Sequence, residues 1–284
     1  MIGHASDLKV SSIQSNKHLK ILTILQHPLL KNDMIKERSA ILFLLLWAVP
    51  LHAQPGLQAQ QKELRVLFVG NSYTYGNNLP QIVSILSEGT RTKLITRKSV
   101  IGGAHLWEHW NGDRGLQTRE IIRDGGFDIV VLQDQSMSAM ETPDSTRKYV
   151  GLFTDYISQY GAQTYLYNTW ARKKVPQFQS VIDTLYVKTA LDNSIVNVPV
   201  GPAWVLAQDI RPSVELFATD GSHASVLGTL LTACVFVKAL TGELPGDIPQ
   251  SFITLDMDGE TVYLMHVDGL DAEFCTRIAA EVIP

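Results

Sequence analysis

Three side chains far apart in the sequence have the types that acyl transfer needs: Ser72, Asp220 and His223. Ser72 sits in Gly70-Asn71-Ser72-Tyr73-Thr74, directly after an apolar run. A strand-to-helix turn there would lift the hydroxyl to the top of a sheet and aim the serine's own N–H at the same space. Asp220-Gly221-Ser222-His223 precedes a long apolar segment, and a carboxylate three residues before an imidazole can lie on the same side of a turn. Hydroxyl, imidazole and carboxylate together make a nucleophile, a base and a group that orients the base. Donors for a developing oxyanion are also at hand. Gly102-Gly103 offers N–H groups that no side chain screens, and Gln133-Asp134-Gln135-Ser136 offers amides.

Other residues suggest other chemistry. His105-Leu106-Trp107-Glu108-His109 matches H-x-x-E-H, in which two histidines one helical turn apart bind zinc. Asn111-Gly112-Asp113 interrupts any helix there almost at once, and a third ligand is missing from the pattern, so no metal or cofactor is expected. Tyr73, Tyr75, Trp107, Trp110 and Trp170 follow the strand ends or their loops. Their faces could stack on sugar rings or pack the loops onto helices. Arg172-Lys173-Lys174 could meet an acidic polysaccharide, although a solvated loop is the plainer reading. His266 is assigned no role.

These residues need a scaffold, and the chain supplies an alternation of short β-rich runs with longer helical periods. Strands are expected at 64–69, 94–101, 127–132, 165–167 and 195–198, with a further strand-like stretch at Thr261–His266. Helices are expected from Asn78-Leu79-Pro80, with an asparagine cap and a first-turn proline, and at 115–124, 143–160, 177–192 and 224–240, the last stopped by Gly242. Strand followed by helix, five times over, implies an α/β fold in three layers, a five-stranded and mostly parallel sheet with helices on both faces. In open sheets of this kind ligands bind at the carboxyl ends of the strands, where Ser72, the glycine pair and the glutamines all fall.

The N-terminus reads as a targeting segment. Residues 41–51 are nearly all apolar, follow Lys36 and Arg38, and precede Leu51-His52-Ala53, a small-residue cleavage pattern. The run is shorter than the roughly 20 residues a spanning helix requires, so no stable membrane insertion is expected after cleavage. Export, to a periplasm or out of the cell, is the expectation, with 34–53 as the signal peptide, 1–33 as a non-native upstream extension or a disordered segment, and 54–284 as a single domain. Residues 54–284 carry 18 Lys/Arg and 25 Asp/Glu, a net charge of −7, which argues against nucleic acid as partner. The cysteines are Cys234 and Cys275, for which a disulfide and buried free thiols are equally open readings.

The ordered blocks at 70–72, 102–103, 133–136 and 220–223 resemble the SGNH, or GDSL-type, serine hydrolase family over about residues 64 to 242. The resemblance implies a flavodoxin-like fold, Ser72 as nucleophile and Asp220 with His223 as its partners. It also implies an oxyanion hole from Ser72, Gly102 or Gly103, and Gln135, with Gln133 competing for the last place. Two positions depart from the family pattern: Asn71 stands where an aspartate is usual, and Gln135 where an asparagine is. Substrate contacts are expected from Asn71, Tyr73, Trp107, Gln133 and Trp170. The implied activity is hydrolysis of O-acyl esters, first of all O-acetyl esters on a polysaccharide or small molecule. The alternatives are a lipase-like or thioesterase activity on longer acyl chains, or a non-catalytic carbohydrate-binding relative.

Overall fold

The computed structural model describes residues 61–284, so the expected upstream extension, signal peptide and cleavage site lie outside the described residues. The central sheet is built from β1 (Lys62–Gly70), β2 (Thr92–Val100), β3 (Ile129–Leu132), β4 (Gln163–Asn168) and β5 (Val196–Pro199). Their order is β2-β1-β3-β4-β5, and every neighbouring pair is parallel. Successive strand residues point to opposite faces, and both faces are apolar. Val66 and Phe68 of β1, Ile129 and Val131 of β3 and Tyr167 of β4 enter one core cluster. Leu67, Val69, Val130, Leu132 and Leu166 enter the other.

Helices cover the two faces. The first cluster is completed by α2 (Leu79–Ser87), α8 (Val200–Ile210), α9 (Val226–Thr241) and α10 (Gly269–Val282). The second is completed by α4 (Thr118–Gly125), α6 (Pro143–Ser158) and α7 (Gln179–Asp192). Three short helices, α1 (Ser72–Tyr75), α3 (Leu106–Asn111) and α5 (Ser138–Glu141), lie in the loops that leave β1, β2 and β3. A hairpin of β6 (Ser251–Leu255) and β7 (Thr261–His266) stands apart from the sheet. Buried positions fall all around α9, as they must in a helix whose every side is apolar. Among the described residues no helix is long and apolar enough to cross a membrane.

The expected elements form, with shifts that have local causes. The third strand begins at Ile129 rather than 127, because the Asp128 carboxylate accepts the Arg65 N–H at 2.7 Å and ends the extended pairing there. Helix α4 begins at Thr118 rather than 115, since Arg114 and Gly115 both adopt left-handed backbone. Helix α2 begins where expected, but Asn78 does not cap it through its side chain. The residue is itself left-handed (φ 55°), a region asparagine tolerates better than most. Gly242 ends α9 as expected, at φ 77°. Helices α8 and α10 and strand β6 add to the expected set. Both cysteines are free and buried, which decides between the two readings of them.

Candidate active site

The order β2-β1-β3 makes the chain leave β1 toward β2 on one side and reach β3 on the other, so a crevice opens above β1. Ser72 is the first residue of α1 at that point. Its turn is held by neutral groups. Asn71 is buried; its Oδ1 accepts the Tyr73 N–H at 3.1 Å and its Nδ2 donates to the Ala104 carbonyl at 3.0 Å. Gln133, fully buried, accepts the Asn71 N–H at 2.9 Å and the Thr74 hydroxyl at 2.8 Å with the same Oε1. Gly70 is required by this packing, because a Cβ there would collide with Gln133 Oε1 and Thr74 Oγ1. On its other side the Gly70 carbonyl accepts from His109 Nε2 at 2.9 Å.

The catalytic candidates meet. His223 Nε2 lies 2.8 Å from Ser72 Oγ, and His223 Nδ1 lies 2.5 Å from Asp220 Oδ2. A carboxylate can only accept, so Nδ1 carries the proton and Nε2 is free to accept from the serine hydroxyl. Asp220 also accepts the N–H groups of Ser222 (2.9 Å) and His223 (3.0 Å). The bond from the imidazole, with those two N–H groups, holds the Asp220 carboxyl down at about 2. The loop carrying the pair is fastened to the body: Phe217 bridges Ala224, Trp170 Nε1 donates to the Ser222 carbonyl at 2.8 Å, and the Tyr73 and Ser222 hydroxyls lie 2.8 Å apart.

A cavity of 280 Å³ opens over Ser72, bordered by Gly103, Gln135, Ser136, Arg172, Ser222 and His223. Gly103, at φ 68°, borders it, whereas Gly102 does not and gives its carbonyl to Arg114 Nη2 at 3.0 Å. Gln135 borders it too. Its Oε1 accepts the Met137 N–H, which leaves the amide NH2 without a protein partner among the described residues. The Ser72 N–H, at the first position of a helix, has no partner within that helix. Ser72, Gly103 and Gln135 thus border one space beside the serine hydroxyl.

Several expected contacts are corrected. Gln133 is no oxyanion donor or substrate contact: it is sealed beneath the nucleophile turn, and its Nε2 is spent on the Asp134 carbonyl. Both ends of the Asn71 side chain are occupied, while the residue itself borders the cavity. Tyr73 and Trp170 are stacked (4.6 Å, 10°), with Trp204 stacked beyond (3.8 Å, 3°), so their faces meet each other, and both residues border the small space beside Ser72 and His223. Trp107 is 37% exposed, near His105 and away from the cavity lining. In the H-x-x-E-H stretch, His109 is buried between Thr118 Oγ1 (2.7 Å) and the Gly70 carbonyl, Glu108 caps the His105 N–H, and His105 faces Ser138. That is a structural lattice in which the two imidazoles turn to different partners. Of the basic cluster, Lys173 pairs with Glu215 while Arg172 enters the cavity. The roles of Asp134, Thr74 and Ser222 in holding this site were not readable, since each is a common residue whose partner is distant in sequence.

No protein-family model matches the chain, and no curated protein does. Solved structures do match. A candidate SGNH hydrolase from Slackia heliotrinireducens is 25% identical, with a TM-score of 0.54 over 63% of this chain and 100% of that one. A DUF4886 family protein from Bacteroides uniformis is 19% identical, with a TM-score of 0.63 over 78% of this chain and 95% of that one. A psychrotrophic esterase from Pseudoalteromonas, inhibited by monoethylphosphonate, is 10% identical, with a TM-score of 0.50 over 63% and 97%. Strand order, the serine above β1 and these likenesses agree: the protein has an SGNH/GDSL-type hydrolase fold.

Proposed function

We propose that the protein is an exported serine esterase that removes O-acyl groups, acetyl above all, from a carbohydrate. The observation that carries this reading is the unbroken relay from Ser72 Oγ through His223 to Asp220 at the mouth of a polar cavity. In the first half-reaction His223 Nε2 takes the Ser72 proton as Oγ bonds to the ester carbonyl carbon. The carbonyl oxygen takes up the electron pair and is held by the N–H groups of Ser72 and Gly103 and by the Gln135 amide. Collapse breaks the ester C–O bond, and His223 returns the proton to the leaving alcohol. Water, deprotonated by the same imidazole, then frees the acid and restores Ser72. Asp220 keeps the ring in the right tautomer and stabilises its cation without taking the proton.

Two features support the substrate class. The space between Ser72, Leu79, Tyr167, Trp170, His223 and Thr232 is 10 Å³, on the order of one water, a size that suits the methyl of an acetyl group. The cavity rim is hydroxyl- and amide-rich, through Gln135, Ser136 and Ser222, as a polyol requires. The apolar run at 41–51 with its basic flank supports export.

The test is labelling with an aryl phosphonate and mapping by mass spectrometry, followed by rates on acetyl and octanoyl aryl esters. Capture of Ser72, lost in His223→Ala, with faster turnover of acetyl is the expected result. Label on another residue would overturn the hydrolase assignment, and a clear preference for octanoyl would overturn the short-acyl assignment.

A further inference from the structure

Arg172 stands out among the groups around Ser72 because it is the cation in the cavity and has no counter-charge. Its guanidinium donates from Nη2 to the Ser136 hydroxyl at 2.8 Å. Its Nε is enclosed by protein and meets no acceptor. Among the described residues no carboxylate lies within ion-pair distance of it, whereas its neighbour Lys173 is paired with Glu215 at 2.8 Å. The other charges near the cavity are committed: Asp220 to His223, and Asp134 to the N–H groups of Leu106 and Gln135 and the Thr146 hydroxyl. The guanidinium is half-buried and its enclosed Nε–H has no acceptor, an arrangement that an anion would improve, and its planar fork matches a carboxylate. Arg172 also borders a second cavity, of 460 Å³, whose lining includes Trp170, Trp204, Gln208, Phe217 and the Lys173–Glu215 ion pair. The guanidinium therefore sits at the junction between the reacting centre and a groove able to hold a further part of a substrate.

We infer that Arg172 binds a carboxylate of the substrate next to the scissile ester, so that the preferred substrates are acylated acidic saccharides, with the anionic sugar seated between the two cavities. This rests on the esterase reading above and narrows it. Ser136 then acts as a positioning residue that fixes the guanidinium, and Lys173, neutralised by Glu215, contributes little.

The test compares kcat/KM on matched mono-O-acetyl esters of methyl glucuronoside and methyl glucoside. The expected ratio favours the glucuronoside by about tenfold or more. Arg172→Gln brings that ratio toward one, and Arg172→Lys, which keeps the charge without the fork, retains part of it. Calorimetric titration of the Ser72→Ala protein with the glucuronoside reads the same site without turnover, and heat should appear for the acid and vanish on adding Arg172→Gln. A ratio near one in the wild type, or a ratio and a binding heat that survive Arg172→Gln, overturns the inference. Absence of phosphonate capture at Ser72 with glucuronoside binding intact would instead overturn the esterase reading and support the anion site.

Discussion

Gln135 is one methylene longer than the asparagine usual at its position, and the structure accommodates the extra length by tying Oε1 back to the Met137 N–H so that the NH2 end borders the cavity. Truncation removes a donor without opening the core, because Gln135 is only half-buried. Gln135→Ala should lower kcat by about 100- to 1000-fold, equivalent to roughly 2.7–4 kcal/mol, with the thermal midpoint nearly unchanged. Unaltered kcat on an acetyl ester would remove Gln135 from the oxyanion site. At this scale Ser72, Asp220 and His223 were legible because chemistry ties them to particular spacings and strand ends. The bracing by Gln133 and Asn71 was not. Whether an amide faces the cavity or the floor beneath it depends on side-chain direction and depth, and neither leaves a mark in the order of residues.

Among the elements, the segment leaving β4 does the most to set the catalytic loop. Trp170 lies between Tyr73 and Trp204 and donates to the Ser222 carbonyl, so one side chain joins the nucleophile helix, α8 and the histidine loop. Trp170→Ala should destabilise the fold by about 3–5 kcal/mol through the cavity it leaves. Trp170→Phe preserves most of the ring but strands a carbonyl, at about 1–3 kcal/mol, and displaces His223. Urea unfolding and the rate of phosphonate capture at Ser72 measure the two effects. Equal capture rates in wild type and Trp170→Phe would show that the bond does not position the histidine. The sheet and its flanking helices were legible from alternating apolar runs. Helix α8 was not, since Pro199, Gly201 and Pro202 read as breakers, although prolines in a first turn forfeit no helical bond. Helix α10 was hidden in the same way by Gly269, which follows Asp268, the residue whose carboxylate caps it.

For the molecule as a whole, His109 ties stability to pH. Burial pushes its imidazole down to about 4, against bonds and charges that act the other way. The unfolded chain takes up a proton at this position as pH falls through about 6.5, while the folded protein refuses it until about 4. The stabilisation is therefore complete above that window and lost on acidification across it, by up to about 3 kcal/mol. Urea midpoints measured between pH 7 and 4 should show this slope in the wild type and a shallower one in His109→Gln, the difference cancelling the carboxylates common to both. Parallel slopes would free His109 of the effect.

The neutrality of the groups beneath Ser72 has one more consequence. Amides, hydroxyls and backbone carbonyls draw no atmosphere of mobile ions, so brine has no hold on where the nucleophile stands. Dissolved electrolyte can reach the pair of Asp220 and His223, whose side chains are nearly half exposed, and the guanidinium of Arg172. A change of ionic strength should alter how strongly the serine is activated and what is drawn to it, while leaving its place in the molecule untouched.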